Sequence, residues 1–195
     1  ALAAVLPGEY ARFARPVRDA LAVFLQGLPP ADQAGILRAQ AALPLTAPFS
    51  QRLGILAQCS PVLQKLGQVL ARDPRLAPEL RTHLRALESL PPTVSLEAIG
   101  ELLADELGPL DRRGVHLLPP AIAEASVAVV IPYRQEGRGK QGVFKLLKPG
   151  IEERLERELA LLAQVGEYLD QRCAELKIPS LDYQQAFEQV SGKLW

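Results

Sequence analysis

Phe13, Val17, Leu21 and Phe24 recur at intervals of three and four, which predicts a helix over roughly Glu9–Leu28. Pro29-Pro30 ends it, and Asp32 is a candidate cap for a short second helix to about Leu43. Pro44 and Pro48 bracket a loop, after which Ser50 is a candidate start for a helix towards Cys59. Ser60-Pro61 reads as an N-cap followed by proline at the first helical position, and places Leu63, Leu66 and Leu70 on the buried side of the helix it opens. Asp73-Pro74 breaks the pattern. Pro78-Glu79 restarts it with Leu80, Leu84 and Leu87 on one stripe, and Pro91-Pro92 stops it again. Ser95 is the predicted N-cap of Leu96–Leu107, whose core face is Leu96, Ile99, Leu103 and Leu107, and Gly108 suits the positive φ of a helix end. Residues 1–118 therefore read as a small all-helical assembly.

The pattern changes at Pro119-Pro120. Ser126–Ile131 is rich in β-branched residues and too short for a typical helix, and Val143–Leu147 is a second strand candidate. The polar, glycine-rich Gln135–Gly142 between them predicts an antiparallel hairpin with a loose tip. Pro149-Gly150 closes it. Ile151–Lys177 follows as a long amphipathic helix with Leu155, Leu159, Leu162 and Val165 buried, and Asp182–Leu194 as a last one. The expected fold class is mostly α, with a helical extension over 1–118 and a small β-hairpin/α segment over 119–195.

Composition narrows the function. The chain has 195 residues, 48% hydrophobic and 23% charged, enough to bury a sizeable core. Lys+Arg and Asp+Glu are both 22, so bulk charge gives no case for a nucleic-acid partner. Cys59 and Cys173 are far apart, which argues against a disulfide scaffold or a paired-cysteine zinc motif and makes a reduced intracellular setting the default, with one long-range bridge as the alternative. His83 and His116 are too few for a histidine metal cluster. No apolar run reaches the roughly 18 to 20 residues of a membrane span, and the apolar Ala1–Leu6 lacks the basic flank of a signal peptide. The chain contains no methionine, even at position 1, and is expected to be a piece of something longer.

Several residues carry candidate chemistry. Gly137-Arg-Gly139-Lys-Gln-Gly142 spells G-x-G-x-x-G, but a strand follows it where a dinucleotide site needs a helix, so a hairpin tip is the first reading and a nucleotide loop the second. Lys145 sits inside an apolar strand, on the face shared with Val143 and Leu147 and opposite Phe144 and Leu146. It either snorkels at an exposed surface or holds an anion. Lys65 is the one lysine in residues 1–139, where every other basic residue is arginine. A slim cation kept there hints at a tight site. Gly67 costs roughly 1 kcal/mol inside a helix, which points to close approach by a neighbouring element or a ligand. Glu152, Glu153, Glu156 and Glu158 crowd the start of the long helix. They read mainly as a solvated face, with a Glu153–Arg157 pair, and alternatively as a partner for Lys145.

Lys65-Leu66-Gly67-Gln68 resembles the K-x-G-Q signature of the UbiB (ABC-one/ADCK-type) family of atypical kinases. The following Val69–Leu80, Ala123-Glu-Ala-Ser126, Val143-Phe-Lys145 and Lys148-Pro-Gly-Ile151 resemble the family's later landmarks in order: an alanine-rich loop, a V-A-x-K lysine strand and its R-P-G-I exit. The similarity covers roughly Ser60–Ile151.

The resemblance implies the start of a kinase-like N-lobe behind a helical extension. It also implies ATP or ADP with magnesium, and a link to ubiquinone (coenzyme Q) or prenyl-lipid metabolism in a cytoplasmic protein peripheral to the inner membrane. By position, Lys145 would be catalytic and contact the nucleotide phosphates, with Ala123, Ala125 and Ser126 lying over them. Lys65, Gly67 and Gln68 would form the regulatory motif reaching towards that site and restricting protein substrates. Departures are clear. Glu124 sits inside the alanine-rich loop, where a carboxylate repels phosphate unless turned away. Val127–Pro132 replaces a Gln-Val-His-like stretch, and neither the family's E-x-D motif nor a catalytic-loop or metal-binding aspartate is visible before Trp195. The piece is therefore expected to be catalytically incomplete. Its expected partners are a missing C-terminal lobe, ubiquinone-pathway proteins or prenyl lipid, and a second copy meeting it through exposed apolar surface. The alternative is a non-catalytic helical interaction or lipid-binding module.

Overall fold

The computed structural model describes residues 6, 8–88, 90, 93–137 and 139–192. The Ala1–Val5 part of the apolar start, Pro91-Pro92, Arg138 of the hairpin tip and Leu194 lie outside the described residues. In chain order the helices are α1 (Ala14–Gly27), α2 (Pro30–Ala41), α3 (Phe49–Gln58), α4 (Pro61–Leu70), α5 (Pro78–Arg85) and α6 (Leu96–Leu107). Four strands follow, β1 (Val115–Leu117), β2 (Ala123–Glu124), β3 (Ala128–Gln135) and β4 (Lys140–Leu147), then α7 (Ile151–Leu176) and α8 (Tyr183–Ser191). Mostly helical structure with one small antiparallel sheet is the fold class expected.

The chain divides into two compact units, Ala1–Leu87 with Glu153–Trp195, and Glu88–Glu152. These cuts differ from the 1–118 and 119–195 segments, because α6 and β1 belong with the sheet. Residues 1–118 are consequently not all helical: Val115–Leu117 pairs antiparallel with β3.

In the helical unit, Ser60 caps α4 as expected. Its hydroxyl accepts from the Leu63 amide, with Pro61 next in line. The other two start signals are corrected. Pro29, not Asp32, occupies the cap of α2, because proline fixes an extended-to-helical entry by itself; Asp32 lies in the first turn. Pro48 likewise precedes α3, and Ser50 is a buried first-turn residue. The buried face of α4 is also shifted. Val62, Gln64 and Gly67 are buried, Leu63 and Leu66 are half-buried, and Leu70 is exposed. Leu80, Leu84 and Leu87 do form one stripe, packed with Ala57 and Ala71.

The long helix is held by a buried charge. Glu158, 0% exposed, accepts from the Ser60 hydroxyl at 2.6 Å and the Val62 amide at 3.2 Å, and pairs with Arg154 at 3.0 Å. Arg154 also donates to the Cys59 carbonyl and lies 3.8 Å from Asp32. The acidic cluster is therefore a solvated face except at Glu158, and Arg154–Glu158 forms where Glu153–Arg157 was expected. The shift by one places the carboxylate on the buried stripe beside Leu155, Leu162 and Val165.

In the sheet unit, Ser95 caps α6 by accepting from the Ala98 amide, and Gly108 ends it at φ 75°. Ile99 and Leu103 pack on Val129 and Ile131 of β3, with Phe144 and Leu146 beside them. Leu96 is exposed rather than part of that face. The hairpin strands are longer than predicted and the tip is shorter, because Gln141 and Gly142 pair with Arg134 and Tyr133.

Removing Arg154 leaves the Glu158 carboxylate buried and short of its cationic partner. Arg154→Met should cost about 3 kcal/mol in denaturant unfolding, against a change within about 0.5 kcal/mol for the exposed Arg157→Met. Equal effects would show that the buried pair does not anchor α7.

Candidate functional site

Strand register builds the candidate site in the sheet unit. Ala123 lies opposite Val130, and Val130 lies opposite Lys145. Cross-strand partners share a face, so Ala123, Val130 and Lys145 form one row across three strands. The outer two are two strand spacings apart, about 9 to 10 Å. Lys145 is exposed, between the exposed Val143 and Leu147. It makes no hydrogen bond or ion pair among the described residues. This face is open along β4, where the alternate residues Gln141, Val143, Lys145 and Leu147 are all exposed.

The next row runs the other way. Glu124 lies opposite Val129, and Val129 opposite Leu146, on the face that α6 covers. The Glu124 side chain is 3% exposed. It pairs with Lys148 at 2.7 Å, accepts from the Thr93 hydroxyl at 2.8 Å and from the Val94 amide at 3.2 Å, and also accepts from the Thr93 amide. Burial pushes its carboxyl up, but Lys148, Thr93 and Val94 outweigh that and hold it below the usual glutamate range. The carboxylate in the alanine-rich segment is thus turned away from Lys145 and neutralised. Lys145 itself has no carboxylate partner among the described residues. Glu158 has the separate partners described above.

The segment is not a flexible glycine-type loop. The Ala125 amide donates to the Ala128 carbonyl at 2.8 Å, closing a tight turn, and the Lys148 amide donates to the Val127 carbonyl at 3.0 Å. Ser126 is buried at 5% exposure, and Ala123 and Ala125 are half-buried. Of the G-x-G-x-x-G run, Gly137 (φ 74°) and Gly139 (φ 57°) lie at the hairpin tip, and Lys140–Gly142 already belong to β4.

In the helical unit, the K-x-G-Q residues lie on α4. Gln68 Nε2 donates to the Leu87 carbonyl at 2.9 Å, and Gln64, one turn earlier, donates to the same carbonyl at 2.9 Å. At Gly67 a Cβ would stand 2.8 Å from Leu87 Cδ1 and 3.1 Å from Leu84 Cδ2. The glycine is required by a neighbouring element, one of the two explanations its helical cost allowed. Lys65 is half-buried, with no hydrogen bond or ion pair among the described residues. Gln64 and Thr93 carry no site signal in the sequence, and neither the Lys148–Glu124 pair nor the Glu158–Ser60 contact is readable from it. The alternation of Ala123-Glu-Ala was the available signal for Glu124.

Cys59 and Cys173 are free. Burial raises the Cys59 thiol, with Arg154 partly opposing, which disfavours the thiolate a nucleophile needs. Among the described residues no three His, Cys, Asp or Glu side chains come together as a metal cluster, and no helix is long and apolar enough to cross a membrane.

Comparison with known proteins finds relatives named as aarF-domain and UbiB kinases. The chain is 34% identical over 120 residues to an uncharacterised aarF domain-containing protein kinase, chloroplastic, of Arabidopsis thaliana, covering 60% of the chain and 22% of that relative. It is 30% identical over 132 residues to a probable protein kinase UbiB of Glaesserella parasuis, covering 63% and 24%. It is 29% identical over 115 residues to a probable protein kinase UbiB of Shewanella oneidensis, covering 58% and 21%. The chain thus spans about a quarter or less of the length of these curated relatives. No protein-family model and no solved structure matches it.

Two measurements test these local assignments. Gly67→Ala should destabilise by about 1 to 2 kcal/mol, because overpacking against Leu84 and Leu87 exceeds the roughly 1 kcal/mol gained in helix propensity; a stabilised variant would refute the close approach. Glu124 is depressed when folded, so its contribution is complete above its unfolded value and is lost as pH falls through the lower folded value. Thermal melts should lose stability on acidification below about pH 4, with a shallower loss in Glu124→Gln; identical profiles would refute the assignment.

Proposed function

Because the chain belongs to the UbiB (aarF-domain) family of atypical kinases, we propose that it supplies the phosphate-contacting lysine of an atypical kinase or ATPase that uses ATP or ADP with magnesium. One observation carries this reading: Lys145 stands on an open sheet face, in register with Ala123, with the nearby carboxylate Glu124 sent to the opposite face and paired there. An ammonium so placed offers phosphate a charge-assisted contact of about 1.5 to 3 kcal/mol. Ala123 adds no bulk to the row, and exposed Val143 and Leu147 offer apolar surface to the remainder of a nucleotide. In this reading Ala125 and Ser126 act through the backbone of their turn, since Ser126 is buried. Magnesium would neutralise phosphate charge when bound, held by groups other than a cluster within the described residues.

The phosphoryl acceptor, a role in ubiquinone or prenyl-lipid metabolism and the C-terminal lobe that would complete the site belong to the same proposal. They rest on the family, not on this chain's geometry. The Lys65-x-Gly67-Gln68 segment is a structural clamp on Leu87 in its own unit, with Lys65 the member left for a ligand-facing role.

A second reading is favoured by the helical unit. Cavities of about 430 Å³ and 300 Å³ share Val17, Leu21, Leu63 and Leu66 as lining, and their walls are almost wholly apolar. Such a space suits a prenyl or acyl chain in a non-catalytic lipid-binding module.

The readings separate in one experiment on the full-length protein. Magnesium with ADP or ATP should raise its melting temperature, and Lys145→Ala should weaken nucleotide binding by about 10- to 100-fold. Absence of any nucleotide-dependent shift in the unsubstituted protein, together with prenyl-lipid binding unaffected by Lys145→Ala, would select the second reading.

A further inference from the structure

Glu124 is the one acidic side chain in Ala123–Ser126, and it is fully engaged. Its two oxygens receive the Thr93 amide, the Thr93 hydroxyl, the Val94 amide and the Lys148 ammonium. Its main chain is engaged too: the Leu90 amide donates to the Glu124 carbonyl at 3.3 Å. β2 is only two residues long. Two ladder residues cannot fix a register by themselves, so the side-chain contacts beyond the ladder carry that task. Beyond β3, β4 carries Lys145, and Lys148 follows directly after the end of β4. Lys145 faces outward, while Lys148 reaches inward to Glu124 with 18% of its side chain exposed.

We infer that Glu124 and Lys148 are positioning residues for nucleotide phosphate: as a closed ion pair on the covered face, they set the Ala123–Ser126 turn and keep its carboxylate charge away from the phosphate that Lys145 receives. This rests on the nucleotide reading above and assigns the pair a task within it. The pair acts in two ways. The carboxylate ties β2 to Thr93 and Val94, which holds Ala123 in the row with Lys145. The Lys148 ammonium cancels a carboxylate charge on β2, about two strand spacings from β4, that would otherwise oppose the anion held by Lys145. Neither residue touches the nucleotide. Lys145 and Lys148 therefore have separate tasks, one towards ligand and one towards the turn.

The test compares Mg-ADP with adenosine, which lacks phosphate, by titration calorimetry on the full-length protein below its melting temperature. Lys148→Met, which leaves the carboxylate uncompensated, should weaken Mg-ADP binding at least about fivefold and leave adenosine binding within about twofold. The double variant Glu124→Gln/Lys148→Met, which removes both charges, should recover part of the Mg-ADP loss. Thr93→Val removes one donor to the carboxylate and should give a smaller Mg-ADP loss, which keeps the test readable if Lys148→Met folds poorly. A merely structural pair would lower the melting temperature while changing the two affinities equally or not at all, and either result overturns the inference with the nucleotide reading intact. If the unsubstituted protein binds no Mg-ADP, the nucleotide reading falls and takes this inference with it.

Discussion

In an extended strand consecutive side chains leave opposite faces, and in the sheet unit this constraint sorts the charges. Ala123 and Glu124 are neighbours in sequence, yet the first joins Val130 and Lys145 on the open face and the second joins Val129 and Leu146 on the covered one. Lys148, directly after β4, joins Glu124 rather than Lys145. A carboxylate that looks hostile to phosphate when the sequence is read as a string is harmless once parity is applied. The same residue then becomes the anchor of β2. Everything proposed for Lys145 depends on this sorting.

The Lys65–Gln68 segment answers to a different constraint, the crowding around Leu87. Gln64 and Gln68, one helical turn apart, converge on a single carbonyl, and Gly67 lies where the Leu84 and Leu87 side chains press against the helix. Leu87 is itself fully buried. A buried carbonyl with no helical partner costs roughly 1 to 3 kcal/mol if unsatisfied, so a carboxamide at each position meets a structural demand before any ligand is considered. Lys65 is not part of that accounting. Of the motif's charged and polar members, it alone lacks a partner among the described residues.

Much of the fold was legible because proline, serine and glycine act locally. Ser60-Pro61, Ser95 and Gly108 each perform the capping role their chemistry dictates, and the hairpin followed from β-branched runs around a glycine-rich tip. The candidate row was half legible: the face of Lys145 followed from strand parity, while its alignment with Ala123 needed the register of β3 with both neighbours. Asp32 and Ser50 misled because a preceding proline already supplied the turn into the helix. The face of α4 was misjudged for a deeper reason. Hydrophobic periodicity ranks leucine above glutamine, but Gln64 and Gly67 are buried to satisfy and approach Leu87, and Leu70 is left outside. Glu158 could not be told apart from Glu152, Glu153 and Glu156 for a like reason, since the four acids differ only in what packs against them.

The two buried carboxylates share a logic. A buried ion pair adds little net stability relative to a well-packed apolar pair, yet breaking it is costly. What such a pair can do is discriminate between arrangements of otherwise similar energy. Around Glu158, sliding α7 by one position would withdraw the carboxylate from Ser60 and Val62 and set Arg154 adrift from the Cys59 carbonyl. Around Glu124 the discrimination is sharper. A one-residue slip of β2 would bring the carboxylate onto the face of Lys145 and drive Ala123 into the core, because strand parity exchanges the two faces at every step. The alternative state is therefore penalised on the covered side, where Lys148, Thr93 and Val94 would lose their carboxylate partner, and its relocated carboxylate would compete with phosphate for Lys145. The charge that seemed out of place in the alanine-rich segment is what makes the segment's register single-valued.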